Sequence, residues 1–529
     1  MKKAVCRQSK NQIPIGATHH SMKFIQDLPV LIIVIPLIFA VIIPLVARLN
    51  KLLPWIIATT ITFFSFLISI SLLITVLDTG KISYWLGGWE PPWGIEYVVD
   101  YLSAFMLVVV SFLAFIVSFY SMRSVEMEID EDKRPAFYSI YILFVTGLMG
   151  IVITGDIFNL YVFLEISSLS GYAMIAIGRK REALVASYNY LILGTIAATF
   201  IVIGIGYLYM ATGTLNIADL RERLPEVYRS KMVLTAFAFF TVGFSLKIAL
   251  FPLHTWLPGA YTYAPSVVSS IMAATATKVG AYIMLRIMFG VFKVEFDLRI
   301  VPVTMIFIVI SSAAIILTSV YAIAQTNLKR MLAYSSVGQI GYIVLGASMN
   351  NPIAMTGSIV HILNHALVKG ALFMVAGCIV YKTGIEDISG LRGMSKKMPI
   401  TMALFTIGGI SMMGFPLTVG FISKWYISIG MLNAGMWYLV PVMIISSLLT
   451  AVYFWRVIVS IYFSEESPEH VLQHTDGGTE ITNHKSQYSE APWTMLAPAM
   501  VLTGLSIFFG TVASTPLSIA GKAAITLLH

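Results

Sequence analysis

Charge is what this chain is short of. Only 11% of its 529 residues are Asp, Glu, Lys or Arg, against roughly a quarter in a soluble domain. With 58% hydrophobic residues and a mean hydropathy of +0.84, an ordinary water-soluble globule is excluded and the bilayer is the solvent for most of the chain. Cysteine is scarcer still, at Cys6 and Cys378. Two thiols exclude a four-thiolate iron–sulfur cluster or zinc site and imply no disulfide framework. A glycine-rich dinucleotide fingerprint is also missing, so the chain by itself is not expected to be a redox catalyst, and no cofactor or metal is expected. Nothing has the form of a cleavable signal peptide, because the residues before Leu28 are polar and the first apolar run has full spanning length. The segment up to Ser21 is expected to be a disordered tail, or an upstream start if Met22 is the initiator.

Apolar runs are what the chain has instead. They fall at 28–47, 53–77, 98–120, 136–154, 157–178, 183–211, 232–252, 265–290, 299–323, 328–348, 353–381, 399–431, 437–463 and 492–512. Each is long enough to cross a hydrocarbon core of ~30 Å. The expectation is an all-α integral protein of the cell membrane with about fourteen spanning helices; the stretch after Pro516 is too short to span on its own. The net charge of +8 has a topological explanation that needs no nucleic acid. Connectors after odd-numbered helices hold clusters such as Arg179, Lys180 and Arg181, whereas those after even-numbered helices dilute their basic residues with Asp219, Glu222 and Glu226. Positive charge stays inside, so both termini are expected outside the cytoplasm. The basic residues of the N-terminal tail point the other way and are outweighed by the loops.

Two of the runs are interrupted alike. The seventh reads "SLKIALFPLHTWLP" and the twelfth "GGISMMGFPLTVGFISKWYI", each with prolines or glycines and one lysine, Lys247 or Lys424. If helices four to eight and nine to thirteen are two copies of one unit, both breaks occupy the fourth place. Unwound backbone at membrane depth is tolerated only where it lines a polar cavity, so paired breaks point to an ion site. The organisation expected is a tail at 1–27, helices one to three at 28–135, a first half-channel repeat at 136–290, an inverted second repeat at 299–463, and a loop, a last helix and a tail at 464–529.

Ionisable residues inside these runs are costly, at least ~2.5–3.5 kcal/mol each on insertion scales, and so mark function or a buried partner. Glu165 in "NLYVFLEISSLSGY" pairs naturally with Lys247. Such a pair is a switch, holding the lysine charged when close and releasing its proton when apart; the competing reading is a structural ion pair, or a protonated carboxyl bonded to Ser167 or Ser168. Lys278 in "IMAATATKVGAY" is placed to receive that proton, or else snorkels to an interface. His254 follows Pro252 in the first break and either takes part or caps exposed backbone. His361, His365 and Lys369 in "HILNHALVKG" recur every four residues on one helical face. As a ladder of protonatable groups between the breaks they would carry protons parallel to the membrane towards Lys424; as core residues they would only pack.

At these residues the sequence resembles the antiporter-like membrane subunits shared by respiratory complex I, Mrp-type sodium/proton antiporters and membrane-bound hydrogenases. The resemblance covers nearly the whole chain, through "YVFLEISSLSGY", "SLKIALFPLHTWLP", "APSVVSSIMAATATKVGAY", "LKRMLAYSSVGQIGYIVLG", "HILNHALVKGALF" and "GFPLTVGFISKWYI". It implies that Glu165 and Lys247 form the ion pair of a first half-channel, Lys278, His361 and His365 a central relay, and Lys369 and Lys424 the second half-channel. "LGGWEPPWGIEYVVDYLSAFML" and "WLPGAYTYAP" look like the D-type polypeptide of Mrp antiporters. Complex I versions commonly carry an acidic residue where Gly259 stands and a histidine where Tyr261 stands.

The function expected is translocation of protons, with sodium as the second ion, inside a complex with other membrane subunits. A redox-driven proton-pumping complex is the alternative, with this chain as one subunit of a larger oxidoreductase. A scaffold would not need the intramembrane Glu, Lys and His series; a stand-alone solute transporter would transport as a single chain.

Overall fold

The computed structural model describes residues 19–464 and 489–528. Of the expected tail at 1–27, residues 1–18 lie outside the described residues, and His19 to Asp27 already belong to the first helix. That helix, α1 (His19–Val46), and α2 (Leu53–Thr79) lead into an antiparallel hairpin, β1 (Ile82–Trp85) and β2 (Glu96–Val99), in which Ile82 pairs with Val99. The apolar run expected to begin a helix at residue 98 therefore begins in a strand. Helix α3 (Tyr101–Glu128) starts only after Asp100, whose carboxylate accepts from Ser103 N while the Ser103 hydroxyl accepts from Asp100 N. That reciprocal cap fixes the start where hydropathy alone blurs it.

Ten crossings follow in two matching sets. The first set is α4 (Arg134–Ile153), α5 (Ile157–Ala176) and α6 (Arg181–Thr212), then a short surface helix α7 (Ile217–Val227), the broken pair α8 (Lys231–Lys247) and α9 (Trp256–Tyr263), and α10 (Ser266–Val291). After a short α11 (Lys293–Arg299) come α12 (Val303–Ile323), α13 (Leu328–Ala347), α14 (Pro352–Thr383), the broken pair α15 (Pro399–Met413) and α16 (Val419–Asn433), and α17 (Leu439–Phe463). Lengths of 20, 20 and 32 residues in the first three members recur as 21, 20 and 32. The loops match as well. Asp156 caps α5 and bridges to Asn216 beyond α6; Asn327 caps α13 and bridges to Asp387 beyond α14. Both 32-residue helices end on a glycine with positive φ, Gly213 at 72° and Gly384 at 69°, the left-handed cap that closes a helix without steric cost. Five crossings is an odd number, so the second copy starts from the opposite face and is inverted.

Among the described residues, ten helices are long and apolar enough to span by themselves: α1, α2, α3, α4, α6, α10, α12, α14, α17 and α18 (Trp493–Thr511). The remaining four of the fourteen crossings are α5, α13 and the two broken pairs. These are the second and fourth members of each repeat, where the polar groups concentrate. The stretch after Pro516 forms α19 (Ser514–Leu528), which packs Ala520, Ala523 and Ala524 into the bundle beside α3 and α14.

Among the described residues, connectors of one parity meet one another. Arg179 Nε reaches Asp130 at 2.8 Å, Lys180 pairs with Glu386, and Arg456 Nη1 donates to Ile323 O at 2.6 Å. This is the face after odd-numbered crossings, called inner here from its basic charge. On the outer face Asn216 Nδ2 donates to Glu96 Oε2 at 3.1 Å and Asn351 Nδ2 to Gly430 O at 2.9 Å. Lys329, which by sequence falls among the connector charges, is instead buried at 3% exposure and donates to Ser266 Oγ at 2.9 Å. Arg181 is exposed at the inner start of α6. An Arg181→Cys chain is expected to resist an impermeant thiol reagent added outside intact cells and to react once the membrane is opened; labelling from outside would reverse the orientation.

Candidate functional site

Helix α14 is the axis of the site. Every residue from Ala354 to Val380 is buried, so its two histidines and its lysine face protein on all sides. A helix enclosed in this way contacts both repeats, and its polar groups must find partners there or be stranded.

His365 finds Lys278. Its Nε2 lies 3.5 Å from Lys278 Nζ, and both residues are 0% exposed. An ammonium donating to Nε2 leaves the ring proton on Nδ1, and among the described residues that atom has no partner. One turn towards the outer face, His361 has Nε2 3.0 Å from Gln339 Oε1 and Nδ1 2.9 Å from Ser423 Oγ. With the Gln339 oxygen accepting, Nε2 carries the proton and Nδ1 accepts from the serine hydroxyl. Ser423 precedes Lys424 in the chain, so the hydrogen bonds of His361 reach the residue next to the lysine of the second break. Asn364, between the two histidines in sequence, is also buried, and among the described residues neither of its side-chain polar atoms has a partner.

Both break lysines sit at the C-terminal end of a half-helix, where unpaired carbonyls favour a cation. Lys247 is the last residue of α8. Lys424 reaches back from α16 to Met412 O at 3.0 Å and Met413 O at 3.2 Å, bonds Ser447 Oγ at 3.1 Å, and lies 4.7 Å from the Tyr342 ring centre. The second break must be glycine-lined to allow this. Gly414 has φ +85° and a Cβ there would stand 2.9 Å from Lys424 Cδ, while a Cβ on Gly420 would collide with Ser411 O.

Two residues sit differently from the sequence expectation. Lys369 turns to α13, donating to Leu332 O at 2.8 Å and to Ser335 Oγ, one turn inward of His365 and not between it and Lys424. Lys247 donates to Ser168 Oγ at 2.7 Å, and no ion pair joins it to Glu165 among the described residues; Glu165 Oε1 has no hydrogen-bond partner. The two groups are near enough to feel each other's charge but not within ion-pair distance. His254 is buried at 7% exposure beside Phe251, Tyr321 and Tyr334, with Nδ1 unpartnered. Gln339 and Ser423, which hydrogen-bond His361, and Ser447, which accepts from Lys424, are not singled out by the sequence patterns. Gln339 carries a signal all the same, as an amide within the apolar stretch "SVGQIGY".

An integral membrane bundle with inverted repeats, two broken helices and a buried file of lysines and histidines defines a class of ion-handling membrane subunit. The chain belongs to the NADH:quinone oxidoreductase/Mrp antiporter transmembrane family, which matches residues 154–450, more than half its length. It is 44% identical over 437 residues to the N subunit of the NADH-quinone oxidoreductase of Desulforudis audaxviator, covering 82% of this chain and 86% of that one. To the D subunit of the Na(+)/H(+) antiporter of Bacillus subtilis it is 29% identical over 500 residues, covering 94% and 97%. Among solved structures, a chain of the Mrp complex from Dietzia sp. DQ12-45-1b superposes with a TM-score of 0.86 at 26% identity, over 96% of this chain and 98% of that one.

Proposed function

We propose that this chain is a proton- and cation-translocating subunit of a multisubunit membrane complex, corresponding to the D-type polypeptide of Mrp antiporters and exchanging sodium for protons. The observation that carries the reading is the series of buried polar groups between the two repeats, the pair Lys278–His365 and, one turn away, Gln339–His361–Ser423, with Lys424 next to Ser423 in the chain. Glu165 supports the need for partner chains. It is half-buried on a face of α5 whose neighbours Phe158, Val162 and Leu169 are 45%, 38% and 55% exposed. A carboxylate bordering hydrocarbon is costly, and a neighbouring subunit over this face removes the cost.

A second reading, proton pumping driven by a redox arm, is favoured by the 44% identity to a relative named as a subunit of NADH-quinone oxidoreductase. Purification in mild detergent distinguishes the two. Copurification with small membrane chains alone, together with proton flux driven by a sodium gradient in vesicles, is the expected result. A redox arm in the purified complex would select the second reading. A chain that purifies alone and transports at full rate would overturn both.

A further inference from the structure

Helix α10 carries a second ladder at four-residue spacing: Lys278, Tyr282, Arg286. The Tyr282 hydroxyl donates to Val152 O at 2.7 Å and accepts from Arg286 Nε at 3.3 Å and Nη2 at 3.1 Å. Arg286 also grips both oxygens of Asp100, at 2.5 and 2.8 Å. Since Asp100 caps α3 through Ser103 N at 2.9 Å, the clamp ties α10 to the start of α3.

The guanidinium and the carboxylate are 15% and 13% exposed. They border a cavity of about 230 Å³ on the outer face, whose wall also holds Lys81, Glu96, Arg221 and Thr526. The cavity reaches Tyr282 and Arg286 and stops there. Lys278, one turn deeper, is 0% exposed and not in its wall. Glu96 is tied to Asn216 and Ser83, and three basic residues in the wall face two acidic ones. At its inner end the cavity is closed by a guanidinium held in place by Asp100 and Tyr282, a fixed positive group of the kind that turns cations back in selective pores.

We propose that Tyr282, Arg286 and Asp100 form the outer seal of the first repeat, separating Lys278 from the outer cavity so that a proton on Lys278 leaves through His365. The inference rests on the translocation reading above. A guanidinium does not give up its proton at ordinary pH, so the clamp interrupts a proton path and does not relay along it. Burial by itself would raise the pKa of Asp100, but the charge and hydrogen bonds of Arg286, with those of Ser103, outweigh it and hold the carboxyl well below the usual range. The clamp thus stays ionised at physiological pH. A purely structural pin between α10 and α3 predicts something else, namely that loss of Arg286 lowers assembly or thermal stability with no leak.

The test uses the purified complex in vesicles under a pH gradient, with no sodium gradient and no driving reaction, and reads passive proton entry with a trapped dye. Arg286→Met is expected to raise the leak about tenfold, equivalent to lowering the barrier by about 1.4 kcal/mol. Adding Lys278→Met should return it to the wild-type level, and Arg286→Lys, which keeps the charge but loses the fork on Asp100 and can give up its proton, should leak more than wild type and less than Arg286→Met. An assembled Arg286→Met complex as tight as wild type would overturn the proposal, as would a leak that Lys278→Met does not reduce. If Arg286→Met fails to assemble, Tyr282→Phe decides: it keeps the ring, removes the hydroxyl on which two guanidinium nitrogens converge, and should at least double the leak, whereas a tight, assembled Tyr282→Phe complex counts against the seal. Coupled transport by wild type in the same vesicles separates the two levels. Its absence refutes translocation; its presence beside a tight Arg286→Met refutes the seal alone.

Discussion

Glu165→Ala and Lys247→Ala are each expected to abolish coupled transport in a complex that still assembles. Neither side chain holds the first break together. The turn from α8 to α9 is closed by backbone and indole bonds, Leu250 N to Ser245 O at 2.9 Å and Trp256 Nε1 to Leu246 O at 2.9 Å. What the variants remove is the alternation between two partners for one ammonium. Here Lys247 is on Ser168 and, among the described residues, Glu165 Oε1 is unpartnered, which in the proposed switch is the separated arrangement. Breaking a fully buried pair costs about 3–5 kcal/mol because the surviving charge is stranded. Both groups here are only half-buried in the single chain, so that figure is an upper bound. The double variant should therefore be no worse than either single one, with a coupling of roughly 0.5–3 kcal/mol. Transport at the wild-type rate in either single variant, in complexes of normal composition, would remove both residues from the path.

Much of this is legible in the sequence because membrane insertion penalises exceptions. Lys278, His361, His365 and Lys424 stand out as ionisable groups inside apolar runs, and each is 0–8% exposed in the fold. Spacing locates the ladder but not its branches. His361, His365 and Lys369 share a helical face to within about 40° per step, an angle that spreads them over three neighbours, α16, α10 and α13. Period alone cannot assign those neighbours, so it puts Lys369 on a line that the side chain leaves. The hairpin is hidden for a different reason. Val98 and Val99 are apolar in a strand as in a helix, and only the cap at Asp100 separates the two. The inverted repeat has a sharper signature than the matched breaks from which it is inferred. "TGTLNIADL" at 212–220 and "TGIEDISGL" at 383–391 share the glycine cap, the bridging Asn or Asp, and the isoleucine and leucine that follow. Arg286 and Asp100 escape notice in the sequence because each lies near the end of a run, where charge is ordinary; only their pairing across 186 positions makes them notable.

The ladder itself makes the largest demand on function. If protons pass from Lys278 to Lys424, His365 must accept on Nε2 and release from Nδ1, and His361 must take up a proton and release it towards Ser423, while Gln339 only holds the ring by accepting from Nε2. Glutamine fills similar space and keeps hydrogen-bonding atoms, but it does not titrate. His365→Gln is expected to retain part of the transport rate, because the unpartnered polar atoms of Asn364 beside it provide anchoring for a water that bridges sites one turn apart. His361→Gln together with His365→Gln leaves two consecutive non-titrating positions, and transport should fall to background with assembly intact. Packing alone predicts a different order. His361 makes two side-chain hydrogen bonds and His365 one long contact, so a structural role would make His361→Gln the more destabilising single change, with transport falling only as thermal stability falls. Measuring proton flux and melting temperature on the same three variants separates these outcomes. A double variant that melts normally and pumps at the wild-type rate would show that protons reach Lys424 without the ladder.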